Sequence, residues 1–160
     1  MSLHKRAGGF KLAVVLGIAL AMAACAHTPA PVAGNAPIPG SVQDFNVNVG
    51  DRVFFDTDST ELSPTSQATL DKQAAWLQQY TQYNFTIEGH ADERGTREYN
   101  FALGARRAET AKDYLIARGI NAARIHTISY GKERPVATCN DISCWSQNRR
   151  AVTVLGGSQS

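Results

Sequence analysis

The sequence predicts an α/β (α+β) domain: a β-α-β-α-β-(α)-β mixed sheet with helices packed on one face. Three observations predict it. Short stretches alternate apolar and polar residues, longer stretches between them repeat apolar residues with helical period, and Ser, Pro, Asp or Gly mark the boundaries. In chain order, Arg52-Val53-Phe54-Phe55-Asp56 reads as a strand ended by polar turn residues. Ser63 followed by Pro64 is a helix N-cap with proline at the first helical position. Leu70, Ala74 and Leu77 then mark one helix face, bordered by Trp76 and Tyr80. In 84–90, Phe85, Ile87 and Gly89 alternate with Thr86 and Glu88, the pattern of a second strand.

A longer helix runs from Thr96 or Arg97 to Arg118, with Leu103, Ala108, Ala111 and Leu115 inward and Gly119 as its stop. Ile125, Thr127, Ser129 and Tyr130 form a third strand ended by Gly131. A short helical piece over 141–148 precedes a fourth strand, 151–155. Helices between strands imply parallel pairings and a sheet covered on one face. The last strand is open to an antiparallel position, at the centre or the edge.

The chain ends belong to export rather than to the fold. Lys5, Arg6 and Lys11 precede the apolar run 12–24, which is too short for a span of about 20 residues. Residues 1–24 therefore read as a signal peptide. Met22-Ala23-Ala24-Cys25 resembles a bacterial lipobox, with Cys25 as the lipidated first residue of the mature chain. In lipoproteins of that kind Ala26 after the cysteine implies the outer membrane. Several acyl chains anchor firmly where one is marginal. Residues 25–41 are the lipidated cysteine and an uncharged Ala/Pro/Gly-rich tether, 42–156 a single domain, and 157–160 a tail. Removing Lys5, Arg6 and Lys11 from the 16 basic residues leaves 13 against 14 acidic, so no basic excess argues for nucleic acid.

Several residues invite chemistry. Cys139 and Cys144, five apart in an oxidising compartment, are expected to pair as a disulfide. The C-terminal part supplies no further ligands for zinc. Asp56-Thr57-Asp58-Ser59-Thr60-Glu61 fails as a calcium loop, because Glu61 stands where glycine is needed and Gln67 where a bidentate glutamate is needed. A turn whose Asp side chains satisfy backbone amides is expected instead. His90 beside Asp92 suggests a dyad or metal ligands, yet no nucleophile motif or third ligand accompanies it, so a packed histidine is expected. No metal or other cofactor is called for.

The richest stretch is GHADERGTREYNFALGARRA (89–108): an acidic, glycine-bearing strand end opening into a helix with two arginines. Together with SYGKERP (129–135) and QNRRAVTVL (147–155), it resembles the OmpA C-terminal-like domain family. FFDTDSTELSP (54–64) and the lipobox narrow the resemblance to that family's peptidoglycan-associated lipoproteins, components of the Tol-Pal system. Four blocks in the right order make this specific, and it covers roughly 42–155. The cysteine loop departs from many relatives.

The resemblance implies a module that binds diaminopimelate-containing stem peptides of peptidoglycan. Such a ligand carries an ammonium and a carboxylate on one carbon, which suits an acid and an arginine fork held together. By resemblance Asp92 and Arg107 are that pair, Phe55 and Asp56 line the pocket, and Asn100 and Leu103 face it from the helix. Arg106 points about 100° away from Arg107 and is expected in solvent. Arg149 and Arg150 are read as rim or structural residues. The resemblance further implies TolB and other Tol proteins as partners, a periplasm-facing position, and a role in outer-membrane constriction during division. The alternatives are a hydrolase of the same polymer, for which Glu88, Asp92, Glu93 and Glu98 supply carboxylates, and a scaffold acting mainly through protein partners.

Overall fold

A computed structural model describes residues 36–156. The signal peptide, Cys25 and the tail 157–160 lie outside the described residues. The elements are α1 (Val42–Asp44), which continues as a wide turn over Phe45–Val49, then β1 (Arg52–Phe54), α2 (Pro64–Gln79), β2 (Phe85–His90), α3 (Arg97–Ala117), β3 (Ile125–Gly131), α4 (Ile142–Asn148) and β4 (Arg150–Leu155). Side-chain caps explain the helix starts. Ser63 accepts from the Ser66 amide, Thr96 from the Tyr99 amide and Asp141 from the Ser143 amide. Gly119 ends α3 with φ +93°, a left-handed conformation that favours glycine.

The four strands form one sheet in the order β1-β4-β2-β3. β2 and β3 are parallel, with Ile87 opposite Thr127. β4 is antiparallel to both neighbours, placing Val53 opposite Ala151 and Ile87 opposite Thr153. The expectation of parallel pairings therefore holds only for β2–β3. β4 is inserted between β1 and β2, so the strands joined by α2 do not touch. The antiparallel last strand occupies the centre.

α2 and α3 cover one face, as expected. Leu70, Ala74 and Leu77 of α2 and Ala108, Ala111 and Leu115 of α3 pack with Val53, Phe85, Ile87 and Leu155 into one apolar cluster. Phe54, Ile128 and Val154 stay exposed on the strands. Closest approach is glycine to glycine: a Cβ on Gly89 of β2 would run into the backbone carbonyl of Gly104 of α3. This contact lets α3 lie directly against the end of β2, and so brings Asn100 and Arg107 to the strand's exit.

Two segments differ from expectation. Residues 42–49 form helical turns with Ser41 as cap, and Phe45 is fully buried, its ring 5.0 Å from Trp76. No helical period announces a piece this short. In the 56–61 turn, the Ser59 amide donates to the Asp56 backbone carbonyl and the Glu61 amide to the Ser59 hydroxyl. The serine, rather than the Asp side chains, supplies the turn's side-chain acceptor.

The sheet has two distinct ends. At the start of β2, the Tyr83 hydroxyl donates to the Gly40 carbonyl and the Gly156 amide to the Asn84 carbonyl, so both termini of the domain leave there. β2 runs from that end to His90 and the loop that follows, where the acid–glycine–arginine stretch lies.

Candidate functional site

The loop after β2 builds its own acid. Asp92 accepts from the Arg94 backbone amide at 3.1 Å, a two-residue Asx turn, and Gly95 continues the bend with φ +88°. The turn folds Arg94 back on Asp92. Its Nε donates to Oδ1 at 3.1 Å and its Nη2 to Oδ2 at 2.7 Å, a two-point grip on the carboxylate. Behind the carboxylate, Arg149 Nη1 reaches Oδ2 at 3.3 Å. Burial pushes the Asp92 carboxyl up, but the hydrogen bonds and charge of Arg94, with Arg149 behind, outweigh it and hold the group below its usual value. Asp92 is a buried anion held between two arginines.

Asp92, Asn100 and Leu103 line a cavity of about 270 Å³ together with Thr57, Asp58, Arg94, Gly95 and Tyr99. Asn100 is buried and fixes the loop from the helix, its Nδ2 donating to the Arg94 carbonyl at 2.8 Å. The Tyr99 hydroxyl donates to Asp58, closing the cavity's outer wall. Lys132 adds two bonds to the loop, to the carbonyls of Glu93 and Gly95.

Phe55 and Asp56 stand elsewhere. They border a neighbouring depression with Phe54, Glu61, Ser63, Ser146, Gln147 and Arg149. Phe55 is itself buried, and Arg149 stitches it in place: its Nε donates to the Phe55 carbonyl at 2.9 Å, while the Phe55 amide donates to the Arg149 carbonyl.

Arg107, expected with Asp92 at the ligand, makes no direct bond to Asp92 and does not line the cavity. Arg107 is fully buried, and its fork donates to three backbone carbonyls: Ser59 at 2.9 Å, His90 at 2.9 Å and Asp56 at 3.1 Å. It also lies 5.2 Å from the Phe55 ring centroid. Burial and the nearby Arg149 pull its pKa down to about 10, so it remains charged at neutral pH. Arg107 therefore ties the 56–59 loop to the end of β2 from beneath. Asp92 takes its cations from Arg94 and Arg149 instead.

Arg106 is exposed, as expected, and Arg150 is buried with its fork on the carbonyls of Asn148 and Arg134. His90 is packed, its ring 5.6 Å from Tyr130, with neither ring nitrogen hydrogen-bonded. Its Nε2 lies 3.7 Å from Glu88. The other carboxylates that suggested hydrolysis have separate surroundings: Glu88 lies by His90, Glu93 accepts from Trp145 Nε1 at 2.8 Å, and Glu98 sits in the first turn of α3. Among the described residues no group of three or more His, Cys, Asp or Glu is placed to hold a metal ion. No helix among them is long and apolar enough to cross a membrane.

Sequence reasoning missed Arg94, Thr57, Asp58, Tyr99 and Trp145. The signal for Arg94 was present: Asp-x-Arg-Gly spells an Asx turn that returns the arginine to the aspartate. Trp145 carried none, since its ring reaches the Arg94 guanidinium, 4.1 Å from its centroid, only through the tertiary fold. Cys139 and Cys144 are bonded, with Cα atoms 5.6 Å apart, immediately before Trp145.

A mixed sheet in the order β1-β4-β2-β3 with α2 and α3 on one face is the fold of one domain class. The profile of the OmpA family matches residues 54–149, and the chain belongs to that family. Within it, the chain stands with the peptidoglycan-associated lipoproteins. One from Rhizobium meliloti (strain 1021) is 63% identical over 155 residues, covering 92% of this chain and 88% of that protein. The crystal structure of the peptidoglycan-associated lipoprotein from Burkholderia pseudomallei matches with a TM-score of 0.65 at 42% identity, over 66% of this chain and 90% of that one. The C-terminal domain of Helicobacter pylori MotB shares the fold, with a TM-score of 0.63 at 20% identity over 68% of this chain and 86% of that one.

Proposed function

We propose that this protein is a non-enzymatic receptor that ties the outer membrane to the cell wall. Its cavity takes the ammonium-and-carboxylate end of a diaminopimelate-containing stem peptide. The observation that carries this reading is Asp92: a buried carboxylate, held ionised, at the wall of an open cavity beside an arginine. Asp92 receives the ammonium, Asn100 and Leu103 shape the pocket, and Arg107, with Phe55 and Asp56, holds the loop that closes its far side. The relatives' name, peptidoglycan-associated lipoprotein, supports the same ligand.

The two ends of the sheet support the linking role. The domain leaves toward its N-terminal tether from the end where β2 begins, and the cavity lies beyond the end where β2 finishes. A lipid on Cys25 then holds one end at the outer membrane while the cavity faces the wall. The Ala/Pro/Gly-rich stretch 26–40 supplies the reach between them. Family membership extends the reading to TolB and other Tol proteins as partners and to outer-membrane constriction at division.

Sedimentation with purified sacculi tests the ligand. The chain is expected to co-sediment, and Asp92→Ala to remain in the supernatant while still melting cooperatively, at a lower temperature because Arg149 loses its buried carboxylate. Equal sedimentation of both would remove Asp92 from the binding role. Release of unaltered muropeptide from the complex distinguishes a receptor from a hydrolase. Labelled palmitate is expected to enter the chain and not Cys25→Ser; incorporation into both would refute the anchor.

A further inference from the structure

The two edges of the sheet are defended unequally. β1, at one edge, is three residues long and carries Arg52, whose fork lies on Asp51. Shortness and charge are how folded proteins blunt an edge against pairing. β3, at the other edge, is seven residues long, IHTISYG, with no lysine, arginine, acid or proline. Among the described residues it pairs with β2 alone, so its outer backbone edge is unpaired. Its middle residue, Ile128, is 41% exposed, and Phe101 of α3 is 56% exposed. Two cavities of about 270 and 250 Å³ lie between α3 and β3, and Phe101 and Ser129 border both.

The strand is also complementary to itself. Turned antiparallel on a copy with Ile128 at the two-fold axis, it engages all seven residues. Ile128 then stands opposite Ile128, Thr127 opposite Ser129 and His126 opposite Tyr130. Apolar, hydroxyl and aromatic residues each meet their like across the strands, and no charged side chains meet. Thr127 and Ser129 both bond to α3, to Glu109 and to the Phe101 carbonyl, so pairing them puts both α3 helices on one side of the joined sheet. The same bonds set Ile128 level with Ala105, midway between Phe101 and Glu109. Across the axis each Phe101 therefore comes level with the copy's Glu109, at the mouth of the 250 Å³ cavity. Farther along the helices Arg97 comes level with Asp113, and Glu98 with Lys112, opposite charges in both cases.

We propose that β3 is a self-association edge: two copies of this chain join β3 to β3, antiparallel about Ile128, and two four-stranded sheets become one. A single strand edge buries little surface, so the pairing is weak in dilute solution and grows where the chains are concentrated. On the wall-receptor reading, pairing holds two Asp92 cavities at a fixed spacing on one polymer, so the second is filled at a high effective concentration. The pairing itself does not depend on that reading.

The test is disulfide trapping in the full chain, read on non-reducing gels of oxidised cell envelopes. Residues opposite each other at such an axis have Cα atoms about 4.5–5.5 Å apart, within a disulfide's reach. Ile128→Cys is expected to give a dimer band, and the wild type, whose Cys139 and Cys144 are already bonded, none. Val154→Cys, equally exposed but away from the edge, is expected to give about tenfold less. Thr127→Cys and Ser129→Cys are expected to cross-link to each other when both variants share a cell, and far less when each is alone. Equal trapping at Ile128 and Val154 would overturn the proposal, as would capture of the Ile128→Cys variant on a protein of another size, the mark of a foreign strand at this edge. Sedimentation equilibrium of the unlipidated chain gives a second readout. The average mass of the wild type is expected to rise with concentration up to about 1 mM, while Ile128→Lys stays monomeric with an unchanged melt. A wild type that stays monomeric throughout, with no trapped dimer, would also overturn it. Neither readout involves the wall polymer, so failure here leaves the stem-peptide reading standing.

Discussion

The two ends of the sheet are built from different materials. Around the start of β2, Phe45, Leu70, Leu77, Phe85 and Leu115 are buried among apolar neighbours. Around its finish, the buried side chains are His90, Asp92, Asn100, Arg107, Asn148, Arg149 and Arg150. The first end is held by area removed from water, which needs no particular partner. The second is held by directed bonds from arginine and asparagine to backbone carbonyls and amides, each of which needs its own geometry. Asn148 illustrates this, taking the amides of Val136 and Ala137 and giving its own Nδ2 to the Ala137 carbonyl. The difference teaches where each property lives: the apolar end supplies stability, and the polar end holds a loop-built cavity in one shape.

The largest effect is expected at the seam between the two ends. Gly104→Val would drive side-chain atoms into the Gly89 carbonyl and the Ser129 hydroxyl, costing about 5 kcal/mol, read as loss of the cooperative transition in urea. At the apolar end, Leu77→Ala leaves a cavity under a fully buried residue and should cost about 4 kcal/mol, with ligand affinity of the folded fraction unchanged. At the polar end, Arg107→Leu orphans three carbonyls and should cost about 3 kcal/mol while also abolishing binding, since the 56–59 loop loses its tie. If Leu77→Ala and Arg107→Leu weakened binding alike, the division between the ends would fail.

His90 gives a pH signature to the polar end. Burial, then repulsion from Arg150, Arg134 and Arg52, lowers its pKa from 6.5 to about 4, while Glu88 is the acid nearest its ring. A lowered histidine pKa means the unfolded chain takes up the proton first, so stability falls as pH drops from 6.5 and the loss is complete below about 4. The full loss is about 3 kcal/mol, and His90→Leu should remove that slope from denaturation curves taken across the window. The smallest effect is the staple: replacing Cys139 and Cys144 with serine should cost about 2 kcal/mol by loop entropy. If it also loosens Trp145 from Arg94, binding should weaken severalfold, read by titration of the reduced and oxidised protein.

The sequence made the apolar end legible. Leu70, Ala74 and Leu77, and Phe85 and Ile87, announce themselves by period, and the caps Ser63 and Thr96 by type. Strand order was not legible, because nothing local records that β4 inserts between β1 and β2. The site was legible in part. Asp92, Asn100 and Leu103 share the cavity as the family resemblance implied, while Phe55 and Asp56 border its neighbour and Arg107 lies beneath. The reason is physical: a sequence pattern names an arginine but not what its fork is bonded to. Arg107 and Arg94 look alike in one dimension, and only the fold shows one saturated by backbone carbonyls and the other half-exposed on a carboxylate.

The most direct test of this division is a chemical-shift titration of the labelled protein with a diaminopimelate stem peptide. The account predicts saturable shifts at the amides of Thr57, Asp92, Arg94, Gly95 and Asn100 and none at Leu77, Phe85 or Leu115. Shifts confined to the exposed strand face around Phe54, Ile128 and Val154, with the Asp92 loop silent, would contradict it.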